Sequence, residues 1–401
     1  MVANDRLIKG SVTLFYLLIG LEIVIMISPF AGYFYAGYGP LLNFLYGFKA
    51  TSWLTGFFLP HAVIAKNDLL NFLNTLGRSL FSFGLIAFLI GAIQIYSAKI
   101  RRKGMVSSIL YRWVRHPQYL CLALSGLGLL LFWPRFIILI LYISMLFVYY
   151  ILAKSEEDRM LKQHGDSYAA YMQRTAMFVP GEPGKKIFRV FVGWIKSPHL
   201  ALALGYGLVL FFAILVAFGL RRYTISQISN IYLPGKQITV VSIVPRSDQA
   251  MKDTLDVVYT DSRIVSILSE YRQQDGHKGF LVHLMPVHYM MQGLFLAPFN
   301  SEEKSIRRSS WRNVIGFVFP FLSPSNHQAM MGKMNSNRVS LIFSQLTWPD
   351  GKYATADEAL NFSVKHLPLL KVDVDLEHRS VVEVEKTPKR NFWGRMPMPP
   401  F

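Results

Sequence analysis

Arg115-His116-Pro117-Gln118-Tyr119 and, about forty residues later, Glu156-Glu157 followed by Tyr168 and Tyr171 are the residues of this chain whose types and spacing suit chemistry. They bring together a guanidinium, an imidazole, two carboxylates and three phenols, a set able to hold a polar ligand by charge-assisted hydrogen bonds and to accept a proton. Between them lie two apolar runs, residues 120–133 and 136–153, separated only by Pro134 and Arg135. A hairpin of two membrane helices would return the second cluster to the level of the first, at one membrane interface. Ionisable groups beside hydrocarbon are costly unless paired or wetted, which marks the cluster as a functional site. The plainer alternative is that Arg115 and His116 snorkel from a helix end and the Glu pair opens a solvated helix.

The elements that must position these residues are membrane helices. The chain is 52% hydrophobic and 14% aromatic, too apolar for an ordinary soluble enzyme. Stretches near the ~20 residues that cross a bilayer fall at 11–30, 80–96, 119–133, 136–153 and 200–220, with a weaker sixth at 42–64 interrupted by Lys49 and His61. The pattern of 66–78 predicts an amphipathic segment along the surface, and the second arm of the hairpin continues as a helix through 154–171, broken only by Gly165. The lead segment has no cleavage site and reads as a retained membrane helix.

The net charge is +18, and residues 1–220 carry 20 Lys and Arg against 8 Asp and Glu, the remainder 22 against 16. The basic loop holding Lys99, Arg101, Arg102, Lys103, Arg112 and Arg115 is placed in the cytoplasm by the positive-inside rule, as are Lys185, Lys186, Arg189 and Lys196. Clustering beside the spans favours anionic lipid headgroups over nucleic acid as the partner. The last span then carries the chain across, leaving the residues after Arg221 on the extracytoplasmic side. The lone Cys121 forms no internal disulfide.

From about residue 225 the composition changes to that of a small α+β domain. Strands are expected at 238–244, 255–259, 280–284, 339–343, 371–376 and 381–384, and helices at 261–273 and 355–364. Two apolar stretches, 281–298 and 314–322, suit packing on the membrane or on a protein partner. The expected fold is an α-helical integral membrane bundle of five or six spans followed by a small α+β extramembrane domain. The expected divisions are 1–78, 79–184, 185–222, 223–385 and a basic, Pro-rich tail at 386–401. No phosphate-binding glycine loop, paired CxxC or GxSxG is present, and His283 with His288, like Met290, Met291, Met330, Met331 and Met334, reads as packing rather than a metal site.

Arg-His-Pro-x-Tyr, an apolar hairpin, then Glu156-Glu157, Leu161, Gly165, Tyr168, Tyr171 and Val179-Pro180 in that order resembles the isoprenylcysteine carboxyl methyltransferase family and the related phospholipid methyltransferases, over about residues 80–180. The departures are Cys121, where the family often has Gly, and His164, where it has Phe. The resemblance implies S-adenosylmethionine as cofactor and a lipidic or otherwise hydrophobic methyl acceptor at the cytoplasmic face, without a metal. By it His116 would meet the cofactor carboxylate or ribose, Glu157 its amine or ribose hydroxyls, and Tyr119 its adenine. Pro117 would turn the backbone into the pocket, and Tyr168 and Tyr171 would flank it. Arg115 or Arg112 would hold a carboxylate acceptor, and Glu156 would serve as base for an amine. The competing reading is a non-catalytic membrane subunit that keeps the fold and binds partners through its C-terminal domain.

Overall fold

The computed structural model describes residues 17, 20, 21, 23–30, 32, 40–61, 63–100, 109–275, 279–287 and 337–387. It forms two compact units: Met1–Ala36, Leu80–Leu130 and Ile138–Ile214 make the first, and Gly37–Ser79, Leu131–Ile137 and Leu215–Phe401 the second. Among the described residues three helices are long and apolar enough to cross a membrane, α2 (Asp68–Ile100), α4 (Phe136–Arg174) and α6 (Pro198–Gln227). A fourth, α3 (Pro117–Phe132), has 16 residues, or about 24 Å at 1.5 Å per residue.

The first unit is helical. Phe83, Ile90 and Ile93 of α2 and Val209, Phe211 and Phe212 of α6 are all exposed, as side chains facing lipid must be in a bundle whose backbone polar groups are satisfied within its helices. Helix packing uses small residues. A Cβ on Gly84 of α2 would stand 2.5 Å from the Ser125 nitrogen and 2.7 Å from the Cys121 carbonyl of α3, and Ser125 Oγ donates to the Phe81 carbonyl at 3.0 Å. Pro117 opens α3 at a position where the missing N–H is no loss. α4 passes from an apolar first half into a polar one and is broken at Gly165, whose φ of 49° is open to glycine at little cost. A short helix, α5 (Pro183–Val192), precedes α6, where Ser144 of α4 and Tyr206 pair through their hydroxyls at 2.9 Å.

Two expectations change here. Residues 66–78 do not form a separate surface segment: from Asp68 they are the first turns of the 33-residue α2, because nothing between Asp68 and Ser79 breaks the helix. Residues 42–64, the weaker sixth stretch, form no helix long enough to span among the described residues. They hold α1 (Pro40–Tyr46), then a 3-10 turn at Ser52–Thr55, with the chain bent by Thr51 Oγ1 on the Leu45 carbonyl at 2.7 Å and Gly47 N on Phe44 O at 3.1 Å. Of the 11–30 span, the described residues are helical.

The second unit is built on a six-stranded sheet in the order β1 (Ser229–Leu233), β2 (Ile238–Ser242), β3 (Phe280–Pro286), β4 (Arg338–Thr347), β5 (Lys365–Asp375), β6 (Ser380–Lys386). Every pairing is antiparallel except β2–β3, which is parallel and needs the crossover supplied by α7 (Asp248–Tyr259) and α8 (Ser262–Asp275). Ser247 caps α7, accepting from the Ala250 N–H at 3.2 Å. Val240 and Val282 pack with Met251, Leu255, Val258 and Leu268 on one face; Val241, Leu281 and Met285 pack with Val63, Ile228 and Val364 on the other.

That two-sided burial explains the apolar reading of 281–298. Its described part, Leu281–Pro286, is a central strand buried throughout, not a partner surface. Residues 288–298, 314–322, His288, the five methionines and 388–401 lie outside the described residues. Residues 255–259 are the last turn of α7 rather than a strand, since Met251, Leu255 and Val258 keep helical spacing. Residues 355–364 contain only a 3-10 turn, Ala356–Glu358, with a Thr355–Glu358 capping box. β1 has no counterpart among the expected strands.

Candidate functional site

In the first unit the segment before α3 is zipped to the end of α4. Arg115 N–H donates to the Ala176 carbonyl at 2.9 Å and His116 N–H to Met177 at 3.2 Å, and Tyr171 Oη reaches back to the Tyr111 carbonyl at 2.7 Å. Tyr111 Oη in turn donates to Gln118 Oε1 at 3.0 Å. This brings Arg115, His116 and Tyr119 against Glu156 and Glu157.

Arg115 is the buried hub. Its Nε donates to Glu157 Oε1 at 2.6 Å, its Nη1 to the Met172 carbonyl at 2.9 Å and also to that of Thr175, and Nη2 stands 3.7 Å from Glu182 Oε1. Nε and Nη1 are hydrogen-bonded within the protein and Nη2 faces Glu182, which leaves no pair of free nitrogens with which to grip an acceptor carboxylate. Arg112, the other arginine proposed for that task, is exposed at the end of the 3-10 turn Ile109–Arg112 and is outside these ion pairs.

The two carboxylates differ. The Glu157 side chain is 1% exposed, and Lys154 Nζ lies 3.4 Å from its second oxygen. Glu156 is 34% exposed, with Tyr119 Oη hydrogen-bonded to its Oε1. The His116 ring sits between them, Nδ1 3.3 Å from Glu156 Oε2 and Nε2 3.6 Å from Glu157 Oε1. These are ion-pair distances, yet neither ring nitrogen makes a directed hydrogen bond. Burial works against protonating His116, but the negative charge of the adjacent Glu156 and Glu157 outweighs it, so its pKa is raised above the usual imidazole value.

Tyr119 is fully buried, its ring stacked on Tyr149 at 4.9 Å and near-parallel to His116 at 5.9 Å. Both ring faces meet protein, so its contribution here is the hydroxyl on Glu156. Tyr168 is buried beside Tyr171, ring centroids 5.8 Å apart, and Tyr171 serves the zipper. Pro117 opens α3. Trp113 is exposed. Sequence reasoning missed Glu182, which accepts the Met177 N–H at 3.2 Å as well as facing Arg115. Nothing in a Gly-Glu-Pro-Gly stretch marks it as part of a cluster. It also missed Gly84, the small residue that lets α2 approach the backbone of Cys121 and Ser125 on α3.

The arrangement can bind a polar or cationic group at Glu156 and His116 and exchange a proton there. Among the described residues no group of three or more His, Cys, Asp or Glu is placed to hold a metal ion. The model of the phospholipid methyltransferase family matches residues 78–167, a stretch that contains all of the sequence-proposed residues except Tyr168 and Tyr171. Comparison with curated proteins and with solved structures gave no match.

Proposed function

We propose that the module around residues 78–167 is an integral membrane methyltransferase that uses S-adenosylmethionine and acts on a lipidic acceptor at the cytoplasmic face. The observation that carries the reading is the partly exposed Glu156 carboxylate, fixed by Tyr119 and His116 within the segment matched to the methyltransferase family. The cofactor suits this site: its amine and ribose hydroxyls are donors for Glu156, and its carboxylate is an acceptor for His116, whose ring nitrogens lack directed partners. Glu157 supports them from behind through Arg115. Bound there, the cofactor supplies an electrophilic methyl carbon on a sulfonium.

The rest of the work falls to this chain, and it is chiefly alignment and exclusion of water. A phospholipid amine is the acceptor favoured by the matched family and by the chemistry of Glu156. The headgroup ammonium must lose a proton before its nitrogen attacks, and the Glu156 carboxylate is the group placed to take it. With Arg115 fully committed, a carboxylate acceptor would have only Arg112. The charge of the loop before α3 and of α5 supports a cytoplasmic site, with residues 223–385 following α6 to the extracytoplasmic side; of the apolar stretches read as partner surfaces, 288–298 and 314–322 are the segments proposed for protein partners.

Calorimetric titration of S-adenosylmethionine into the detergent-purified protein tests the reading. Saturable binding, lost in His116→Ala and Glu156→Gln, is expected, followed by transfer of labelled methyl to an ethanolamine phospholipid. Absence of binding by a folded sample would favour the second reading, a non-catalytic membrane subunit, which draws support from the large sheet domain outside the matched segment.

A further inference from the structure

α5 is unlike the spans beside it. Those are apolar all round, whereas on α5 Lys185, Lys186 and Arg189 occupy one arc and Ile187, Phe188, Val190, Phe191 and Val192 the rest, with Trp194 just beyond. The apolar arc is itself divided. Val192 is buried, and Phe188 rests on Gly205 of α6, where a Cβ would meet its ring at 2.4 Å. Ile187, Val190, Phe191 and Trp194 face outward, 59 to 78% exposed.

The contact with Gly205 fixes a depth. Gly205 is five residues past Leu200, the start of the apolar run, or about 7 Å along the helix axis. An amphipathic helix lying in a bilayer interface buries its apolar face by about 5–10 Å. The cationic arc then sits at headgroup level, where lipid phosphates carry the complementary charge.

Glu182 joins this helix to the buried cluster. It precedes Pro183 in a left-handed conformation, φ 44°, unusual for a residue with a side chain. One carboxylate oxygen faces Arg115 Nη2 at 3.7 Å and accepts from Met177; the other is 3.6 Å from Lys185 Nζ. We propose that α5 docks on anionic phospholipid headgroups and that Glu182 passes the docking on to the Arg115 cluster, because a phosphate that engages Lys185 releases Glu182 to Arg115 and the Met177 N–H. Docking and its effect on the cluster stand apart from the methyl-transfer reading; only a consequent change in cofactor affinity rests on it.

The test uses the full chain in bilayer discs of phosphatidylcholine alone or mixed with phosphatidylglycerol. Two readouts need no activity: quenching of Trp194 by brominated acyl chains, taken as the difference from Trp194→Phe, and amide exchange in segments 111–116 and 171–177. Quenching that deepens with the anionic lipid, and exchange about fivefold slower there, are expected. Substituting Lys185→Gln, Lys186→Gln and Arg189→Gln together should remove both differences, and Glu182→Gln should keep the quenching while losing the exchange response. An unquenched Trp194 in both bilayers would overturn docking, and quenching with identical exchange would overturn the link through Glu182. Loss of S-adenosylmethionine binding in every bilayer, with both lipid responses intact, would count against the methyltransferase and leave this proposal standing.

Discussion

Arg115 and Arg135 are both buried and each precedes a membrane-hairpin helix, yet the molecule treats their charges in opposite ways. Arg115, in the first unit, meets the Glu157 carboxylate at 2.6 Å and adds backbone carbonyls. Arg135, in the second, has no carboxylate among its described partners. It donates to the Thr55 carbonyl and lays its guanidinium 4.0 Å from the Phe57 ring centroid, with Nε and Nη2 lacking hydrogen-bond partners. The His61 ring stacks against Phe57 as well, at 4.6 Å. A delocalised, weakly hydrated cation tolerates such a ring-lined setting. Arg135 is therefore a staple between loops, while Arg115 belongs to a charge-balanced set in which a carboxylate and an imidazole respond to what binds.

The comparison breaks most visibly on removal of a charge. Arg115→Met should cost about 3–5 kcal/mol by stranding Glu157, with much of it recovered in the double variant Arg115→Met, Glu157→Leu; thermal unfolding in detergent reads both, and a double variant no better than the single would refute the pairing argument. Arg135→Met should cost less, about 1–2 kcal/mol for a ring contact and a hydrogen bond, and a loss equal to that of Arg115→Met would erase the distinction. Tyr119→Phe, which frees Glu156 without stranding a buried charge, should cost about 1 kcal/mol. It should also weaken S-adenosylmethionine binding, seen by calorimetry.

The smallest expected effect is on pH dependence. Because the folded His116 pKa is raised, its protonation adds stability that is complete below the ordinary imidazole pKa of about 6.5 and fades as pH rises through the folded value. Unfolding followed from about pH 5 to 9 should show that decline in the wild type and not in His116→Asn. A flat difference between the two would detach the imidazole from the carboxylates.

The hairpin and the meeting of Arg115, His116, Tyr119, Glu156 and Glu157 were legible because apolar length and polar spacing are local properties of the chain. What Arg115 does with its donors was not, since Met172 and Thr175 offer only backbone carbonyls at the end of α4, and Glu182 becomes a neighbour only once the backbone has turned at Gly181. The same holds for Tyr119: its ring looked available for an adenine until Tyr149, thirty residues away, was stacked on it. In the sheet domain the strands β2, β3, β4, the second half of β5 and β6 were visible as alternating or β-branched runs, but Val257 and Val258 mimicked a strand within a helix. The apolar excess of β3 looked like a surface patch because a sequence does not say whether one face or both will be covered.

The zipper between residues 114–116 and 176–177 bears on how the protein is made. Its two sides are some sixty residues apart, and both helices of the hairpin lie between them. During synthesis α3 can leave the ribosome before Ala176 has been added, so insertion begins before the cluster can assemble, as helix formation precedes association in bilayers generally. A nascent chain released just before Thr175 would carry every charged residue named for the cofactor and still lack the Thr175 and Ala176 carbonyls that help hold Arg115 against Glu157.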